Sequence, residues 1–553
     1  WVPLPSDSLM RFRFEAHTAT ESASLDYAVR RGGWAPDPGP ELWLDSTSLT
    51  PRGRAWWPAG EYLTLSARAS EGALVRLRLP DSTVVPLLPD SRPEQIPEAV
   101  RAFDRDTVNL RSSLRRDRYV GVFRGRAMGP SPGPVLPGAW MPPVAVGLLP
   151  DSTAWGVIEA IRGADTVRAR WPLQVALLDT LPVVAELYDD STGIAPTDAT
   201  VVGRSVPNGT YHWFLPNGTR APVSGRLNGD LRLQLAPQTH AWVAAVEARA
   251  VPGVTAVPAV VGSVRLTPMA DRVRVRIPVT GRVPFRVTES DRRLTLRLYG
   301  ALGDVNWIQY GAADDPLIRR IAWSQDRGDE VTLTLDLARS VWGYQATWER
   351  NDLVLDVRRP PQLDGGGSLQ GRLIAVDPGH PPGGSTGPTG LREAEANLAI
   401  GLELKRLLEQ AGARVFITRT EDVPLELWPR VDLSQRAGAE LLVSIHNNAL
   451  PDGVNPLSNS GSSVYYNHPR SVPLARAVQA ALVRRLGVRD LGIGRGDLAL
   501  VRTTWMPSVL TEGLFMIVPE QEAALRSPRG QRLYAEAVVE GIRRFLREQA
   551  LES

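Results

Sequence analysis

Residues 373–398 read LIAVDPGHPPGGSTGPTGLREAEANL. The apolar run from Leu373 ends at Asp377, and Pro378-Gly379 breaks it, which predicts a buried strand running out at its carboxyl end. His380 falls in the first turn beyond that strand, and Glu393 opens the helix expected to follow. A second apolar run, Leu441 to Ile445, ends on His446, and a third, Ser508 to Thr511, ends on Glu512. Strand ends of an open α/β sheet face a common crevice, so these side chains are expected to converge. His380, Glu393 and His446 form a ligand set that suits zinc in hydrolytic enzymes. A lone histidine after a glycine reads as a loop residue. The whole chain holds six histidines, and two of them close successive strands of one α/β unit, so the joint pattern carries the metal reading.

At 553 residues the chain exceeds one core and is expected to divide into three or four domains. Hydrophobic content of 43% and charge of 22% are those of globular protein. Cysteine is absent, which excludes disulfides and thiolate metal sites and leaves N and O ligands for any zinc. A formal charge of +3, almost all of its cations arginine, is too mild and dispersed for a nucleic-acid interface. Residues 127–150 carry no charge but hold seven prolines, so an extended loop is expected there rather than a membrane span. The sequence starts at Trp1 with no n-region or h-region, so no signal peptide is visible, and either a mature or a trimmed form is expected.

Upstream of residue 360 the pattern is β throughout. Residues 1–180 alternate apolar and polar side chains in stretches such as YLTLSARA at 62–69. Residues 181–261 form a second β candidate, with PNGT turns at 207–210 and 216–219 around Tyr211-HWFL. Residues 262–359 have the cleanest period of two: RVRVRIPV at 272–279 predicts a sheet with one apolar and one Arg/Thr face. PPQLDGGGS at 360–368 reads as a linker, residues 360–370, before a final domain at 371–553. In that domain strands alternate with amphipathic helices. The expected architecture is therefore multidomain: N-terminal all-β domains, then a C-terminal α/β domain with a mostly parallel sheet flanked by helices.

Residues 372–547 resemble the zinc-dependent N-acetylmuramoyl-L-alanine amidases, which cut peptide stems from the glycan strands of peptidoglycan. The motifs stand in that family's order: VDPGH at 376–380, GLRE with NL at 390–398, TRTED at 418–422, Arg430, and SIHNNA at 444–449. GSSVYY at 461–466, RG at 495–496, LVRTTWMPSVLTEG at 500–513 and SPRGQRLYAEAVVEGIRRFL at 527–546 complete the set. The resemblance implies zinc ligation by His380, Glu393 and His446, and a proton shuttle by Glu512. It leaves Asp377 as a candidate partner of a ligand, Asn447 and Asn448 as candidate substrate contacts, and Arg495 as a candidate contact to a stem-peptide carboxylate. The 262–359 module is similar to the AMIN module, which implies wall targeting. The implied partners are peptidoglycan and divisome or wall-associated proteins, in the bacterial periplasm.

The sequence departs from the family at Pro381-Pro382, at Gln435, and at Glu512-Gly513-Leu514-Phe515, where the order E-L-G-F is usual. The segment from Ala449 to Ser463 has the prolines and glycines of a short loop rather than a long covering helix, which predicts a site open without an activator. Two rival readings stand beside the amidase: a zinc exopeptidase on a related scaffold, and a wall-binding scaffold with an idle amidase domain.

Overall fold

The structure is a computed structural model that describes residues 9–17, 22–30, 41–58, 60–90, 117–125, 155–177, 183–189, 200–207, 209, 211–251, 254, 256–310, 315–450 and 460–551. The proline-rich stretch at 127–150 and residues 451–459 of the proposed open loop lie outside them.

The described residues up to 251 are β-rich, with a seven-stranded and a nine-stranded sheet as the main layers. The boundary expected at 180/181 cuts through the larger sheet. Gly53–Trp57 and Leu173–Leu177 pair in parallel, and Ala55 and Trp56 then pair with Leu227 and Arg226. Strands from both sides of the expected boundary thus share one ladder. Local patterning misses this because the partners are more than a hundred residues apart in sequence.

Residues 259–358 form a separate β unit, a five-stranded and a four-stranded sheet around a common aliphatic core. Its strand Arg272–Pro278 buries Val273, Val275 and Ile277 and turns Arg272, Arg274 and Arg276 outward. Those arginines face Asp356 and Asp352 on the neighbouring strand and Glu349 on the strand beyond it, so the outer face is a ladder of paired charges.

In the last domain the elements are β1 (Leu373–Pro378), α1 (Glu393–Gln410), β2 (Arg414–Ile417), α2 (Leu427–Arg436), β3 (Leu441–Asn448) and β4 (Ser462–Tyr466). Then follow α3 (Val472–Leu486), β5 (Asp490–Arg495), β6 (Ser508–Phe515), α4 (Pro519–Arg526) and α5 (Pro528–Leu551). The sheet order is β2-β1-β3-β6-β4-β5. Every pairing is parallel except β4 against β6, where the direction reverses. Alternate residues of β1 and β3 serve opposite faces, as the strand period requires. Ile374, Val376, Val443 and Ile445 pack under α1, α3 and α5, whereas Ala375 and Leu442 pack with Val431 of α2. Such near-continuous apolar runs are what a sheet covered on both faces needs.

The linker is anchored to the core of the last domain. Leu369 is buried there with Leu363 packed beside it, and Trp342 of the β unit joins the same core against Phe545, ring centroids 5.8 Å apart. Arg358 donates to the carbonyls of Ala439, Trp505 and Gly438, Tyr344 N–H to that of Thr504, and Glu289 forms a buried ion pair with Arg470. These contacts gather where β3 and β6 begin, the end of the sheet away from His446 and Glu512.

Candidate active site

β1 delivers the chain into a turn in which His380 has φ of +56°, a left-handed conformation uncommon for a residue with a Cβ. Two buried arginines hold that turn. Arg430, 1% exposed, donates to the carbonyls of Pro378, Pro381 and Leu425 and to the Asp377 carboxylate. Arg419, 4% exposed, donates to the carbonyls of Pro378, Gly379 and Ala394. Burial, with the charge of Arg430 beside it, lowers the Arg419 pKa to about 10, which still leaves it a cation at neutral pH. Both belong to the sequence motifs quoted above, yet their role in shaping the turn was not legible there.

His380 Nδ1 lies 3.0 Å from the Pro382 carbonyl. A carbonyl only accepts, so Nδ1 carries the proton and Nε2 presents its lone pair, 3.4 Å from Glu393 Oε1. His446 reaches the same carboxylate oxygen from β3, with Nδ1 at 3.2 Å. Its other edge packs on Gly379, where a Cβ would overlap the imidazole, so only glycine fits there. The two imidazoles meet nearly edge-on, centroids 4.9 Å apart and planes 77° apart. The three ligand atoms all lie within 4.8 Å of one another. Tetrahedral zinc with ligands at about 2.0–2.1 Å sets them about 3.3 Å apart, so the two separations from Glu393 fit the ion.

Glu393 sits in the first turn of α1, 4% exposed, with Oε2 accepting Ser385 N–H at 3.0 Å and Oε1 accepting Asn447 N–H at 3.2 Å. Asn397, one helical turn on, donates to Oε1 at 3.3 Å. Burial works against its charge, but the contacts to His380 and His446 outweigh it and hold the carboxyl well below the usual range. Burial likewise opposes a charged His380, and Glu393 overcomes it, so the imidazole pKa is raised. Glu522, 1% exposed on α4, accepts the amides of Thr389 and Leu391 and so fixes the loop entering α1.

Glu512 on β6 is the ladder partner of His446 and is 2% exposed. Its Oε2 has no hydrogen-bond partner among the described residues. Burial, and then the charge of Glu393, push its pKa well above the ordinary carboxylate range. A buried carboxyl with a free oxygen beside three converging titratable side chains is a candidate for proton transfer.

The four principal residues therefore meet at one end of the sheet. The other candidates fare differently. Asp377 makes no contact with an imidazole; it accepts from the Thr418 and Ser444 hydroxyls and from Arg430, and acts on the His380 turn only through that arginine. Asn447 is held inside the protein. It is 2% exposed, donates to Asn397 Oδ1 and accepts Leu514 N–H, clamping β3 to α1 and β6. Asn448 is equally buried, with its carbonyl accepting Met516 N–H. Arg495 ends β5, but the reversal at β4 sends that strand end to the opposite side of the sheet. There it donates to the Asn467 carbonyl and lines an 840 Å³ cavity against the β units.

Residues 374–544 match the family model described as N-acetylmuramoyl-L-alanine amidase. Protein YqiI of Bacillus subtilis is 34% identical over 180 residues, 32% of this chain and 84% of that one. The N-acetylmuramoyl-L-alanine amidase LytC of Bacillus subtilis is 33% identical over 177 residues, 31% of this chain and 35% of LytC. The N-acetylmuramoyl-L-alanine amidase AmiC of Neisseria meningitidis is 26% identical over 382 residues, 52% of this chain and 90% of its own. With the site geometry and these matches in hand, the chain belongs to the N-acetylmuramoyl-L-alanine amidases, cell-wall hydrolases, through the domain at residues 374–544.

Proposed function

We propose that residues 371–553 hydrolyse the amide between N-acetylmuramic acid and L-alanine of peptidoglycan with a zinc ion held by His380, Glu393 and His446, and with Glu512 as general base. The observation that carries this reading is the His380–Glu393–His446 cluster, with buried Glu512 one strand away. Zinc held there supplies Lewis acidity, polarising the scissile carbonyl and acidifying water. Glu512 takes the proton of the attacking water and delivers it to the leaving nitrogen of alanine. His380 keeps its lone pair on the cluster because Pro382 binds its other nitrogen. Asn447 and Ser385 keep Glu393 ionised by donating to it.

The β unit at 259–358 is our candidate for an AMIN-like module that locates the enzyme on the wall. Its two-sheet form and its place directly before the amidase domain support this. So does the span of the AmiC alignment, 52% of the chain, where residues 371–553 make up a third. Among the described residues no helix is long and apolar enough to cross a membrane. Action on peptidoglycan places the site outside the cytoplasm, and we read that place as the periplasm, with divisome or wall-associated proteins as partners of the β units. Digestion of purified peptidoglycan tests the reaction: free stem peptides and intact glycan strands are expected. Peptides shortened residue by residue would favour an exopeptidase, and absence of turnover with zinc bound would favour an idle domain.

A further inference from the structure

We propose that Tyr534 is a positioning residue whose hydroxyl, inserted between β3 and β6, sets the separation between His446 and Glu512. The proposal rests on the reading of those two residues as ligand and base. Up to the site the two strands pair regularly, Ser444 opposite Leu510, Ile445 opposite Thr511 and His446 opposite Glu512. Beyond it the register slips, and Asn448 stands opposite Phe515. In an unbroken parallel ladder the His446 carbonyl would bond the amide that follows Glu512, that of Gly513. A hydroxyl stands between them instead. Gly513 N–H donates to Tyr534 Oη at 3.0 Å, and Tyr534 donates to the His446 carbonyl at 2.9 Å.

The surroundings fix that hydroxyl in place. Tyr534 projects from α5 and is fully buried, and the Thr511 hydroxyl lies 2.9 Å from its oxygen. One residue further on, the Asn447 side chain accepts Leu514 N–H, so a second side chain bridges the widened gap. Direct backbone bonding resumes where Met516 N–H donates to the Asn448 carbonyl. Position 513 admits the tyrosine only as glycine: a Cβ there would overlap its ring and stand 2.6 Å from its hydroxyl. The Gly513-Leu514 order, a departure noted in the sequence, thus goes with the tyrosine. A metal ligand and a proton acceptor on adjacent strands need a gap wide enough for water and the scissile amide, and the inserted hydroxyl provides one.

The test uses the full chain, with kcat and KM on soluble muropeptides, zinc affinity by chelator competition, and the thermal midpoint. Tyr534→Phe lets the two backbones close, and kcat should fall on the order of ten- to a hundred-fold with KM within about twofold. Gly513→Ala, which expels the ring, should give the same kcat-specific loss, and the double variant should be no worse than the poorer single one. A lowered midpoint with kcat unchanged in Tyr534→Phe would make the residue merely structural and overturn the proposal. Should Tyr534→Phe fail to fold, amide exchange in the wild-type protein decides. Gly513 N–H should exchange slowly like its strand neighbours, and exchange at the rate of an exposed amide would overturn the inserted hydroxyl. Full activity in Tyr534→Phe beside an inactive Glu512→Gln would refute this proposal alone, whereas an active Glu512→Gln would refute the reading beneath it.

Discussion

Replacing Arg430 by alanine should unsettle the His380 turn without touching a ligand. The guanidinium is 1% exposed and makes five hydrogen bonds, two to the Leu425 carbonyl and one each to Pro378, Pro381 and Asp377. Asp377 is itself 0% exposed and would keep only the Thr418 and Ser444 hydroxyls. Removing one partner of a buried pair costs about 3–5 kcal/mol, because the other charge stays buried. For a domain of this size each kcal/mol moves the midpoint by about 2–4 °C, so the amidase transition should fall by on the order of 10 °C. Zinc affinity should fall with it, since the carbonyls released are those that frame His380. Calorimetry of the full chain, with metal content on the same samples, reads both. Adding Asp377→Asn removes the stranded charge and should recover at least about 1 kcal/mol. A loss below about 1 kcal/mol with zinc affinity unchanged would refute the reasoning that this buried pair holds the turn.

Four further outcomes follow. His446→Ala should lose most of its zinc by elemental analysis, because two protein ligands hold the ion poorly; full occupancy would contradict the assignment. In metal-free protein Glu512 has a folded pKa raised above its unfolded value, so the folded state holds the extra proton and stability falls as pH rises above about 4.3. Chelator-treated Glu512→Gln lacks that titration, so its thermal midpoint should exceed wild type by more at pH 8 than at pH 5; parallel pH profiles would contradict this. The full chain should cleave soluble muropeptides without an added activator, because Arg358, Tyr344 and Glu289 dock at the end of the sheet away from the site. A fragment starting at residue 366 lacks Trp342 and Leu363 and should melt earlier than the same domain in the full chain.

The convergence of His380, Glu393 and His446 was legible because its determinants are local: an apolar run, a Pro-Gly break, and a histidine or glutamate at a strand end. Glu512 was legible for the same reason. Arg495 was not, because the strand-end rule assumes one direction and the sheet reverses at β4, which only the β4–β6 pairing reveals. Asn447 and Asn448 follow His446 in sequence, and the register slip beyond it leaves both buried, which the sequence did not reveal. Tyr534 reads as one more apolar residue on the face of α5; its hydroxyl gains meaning only from the two strands it meets. The 180/181 boundary cuts a sheet because the pairing of Ala55 and Trp56 with Leu227 and Arg226 leaves no local signature.

The account turns on Glu512 acting as base beside a zinc held by three other side chains. Its most direct test is zinc content and peptidoglycan turnover measured on one preparation of full-length Glu512→Gln. The near-isosteric amide keeps the ligands in place but cannot take a proton. One zinc per chain is therefore expected, with turnover reduced about 10²–10⁴-fold. Near wild-type release of stem peptides by that zinc-loaded variant would contradict the central claim.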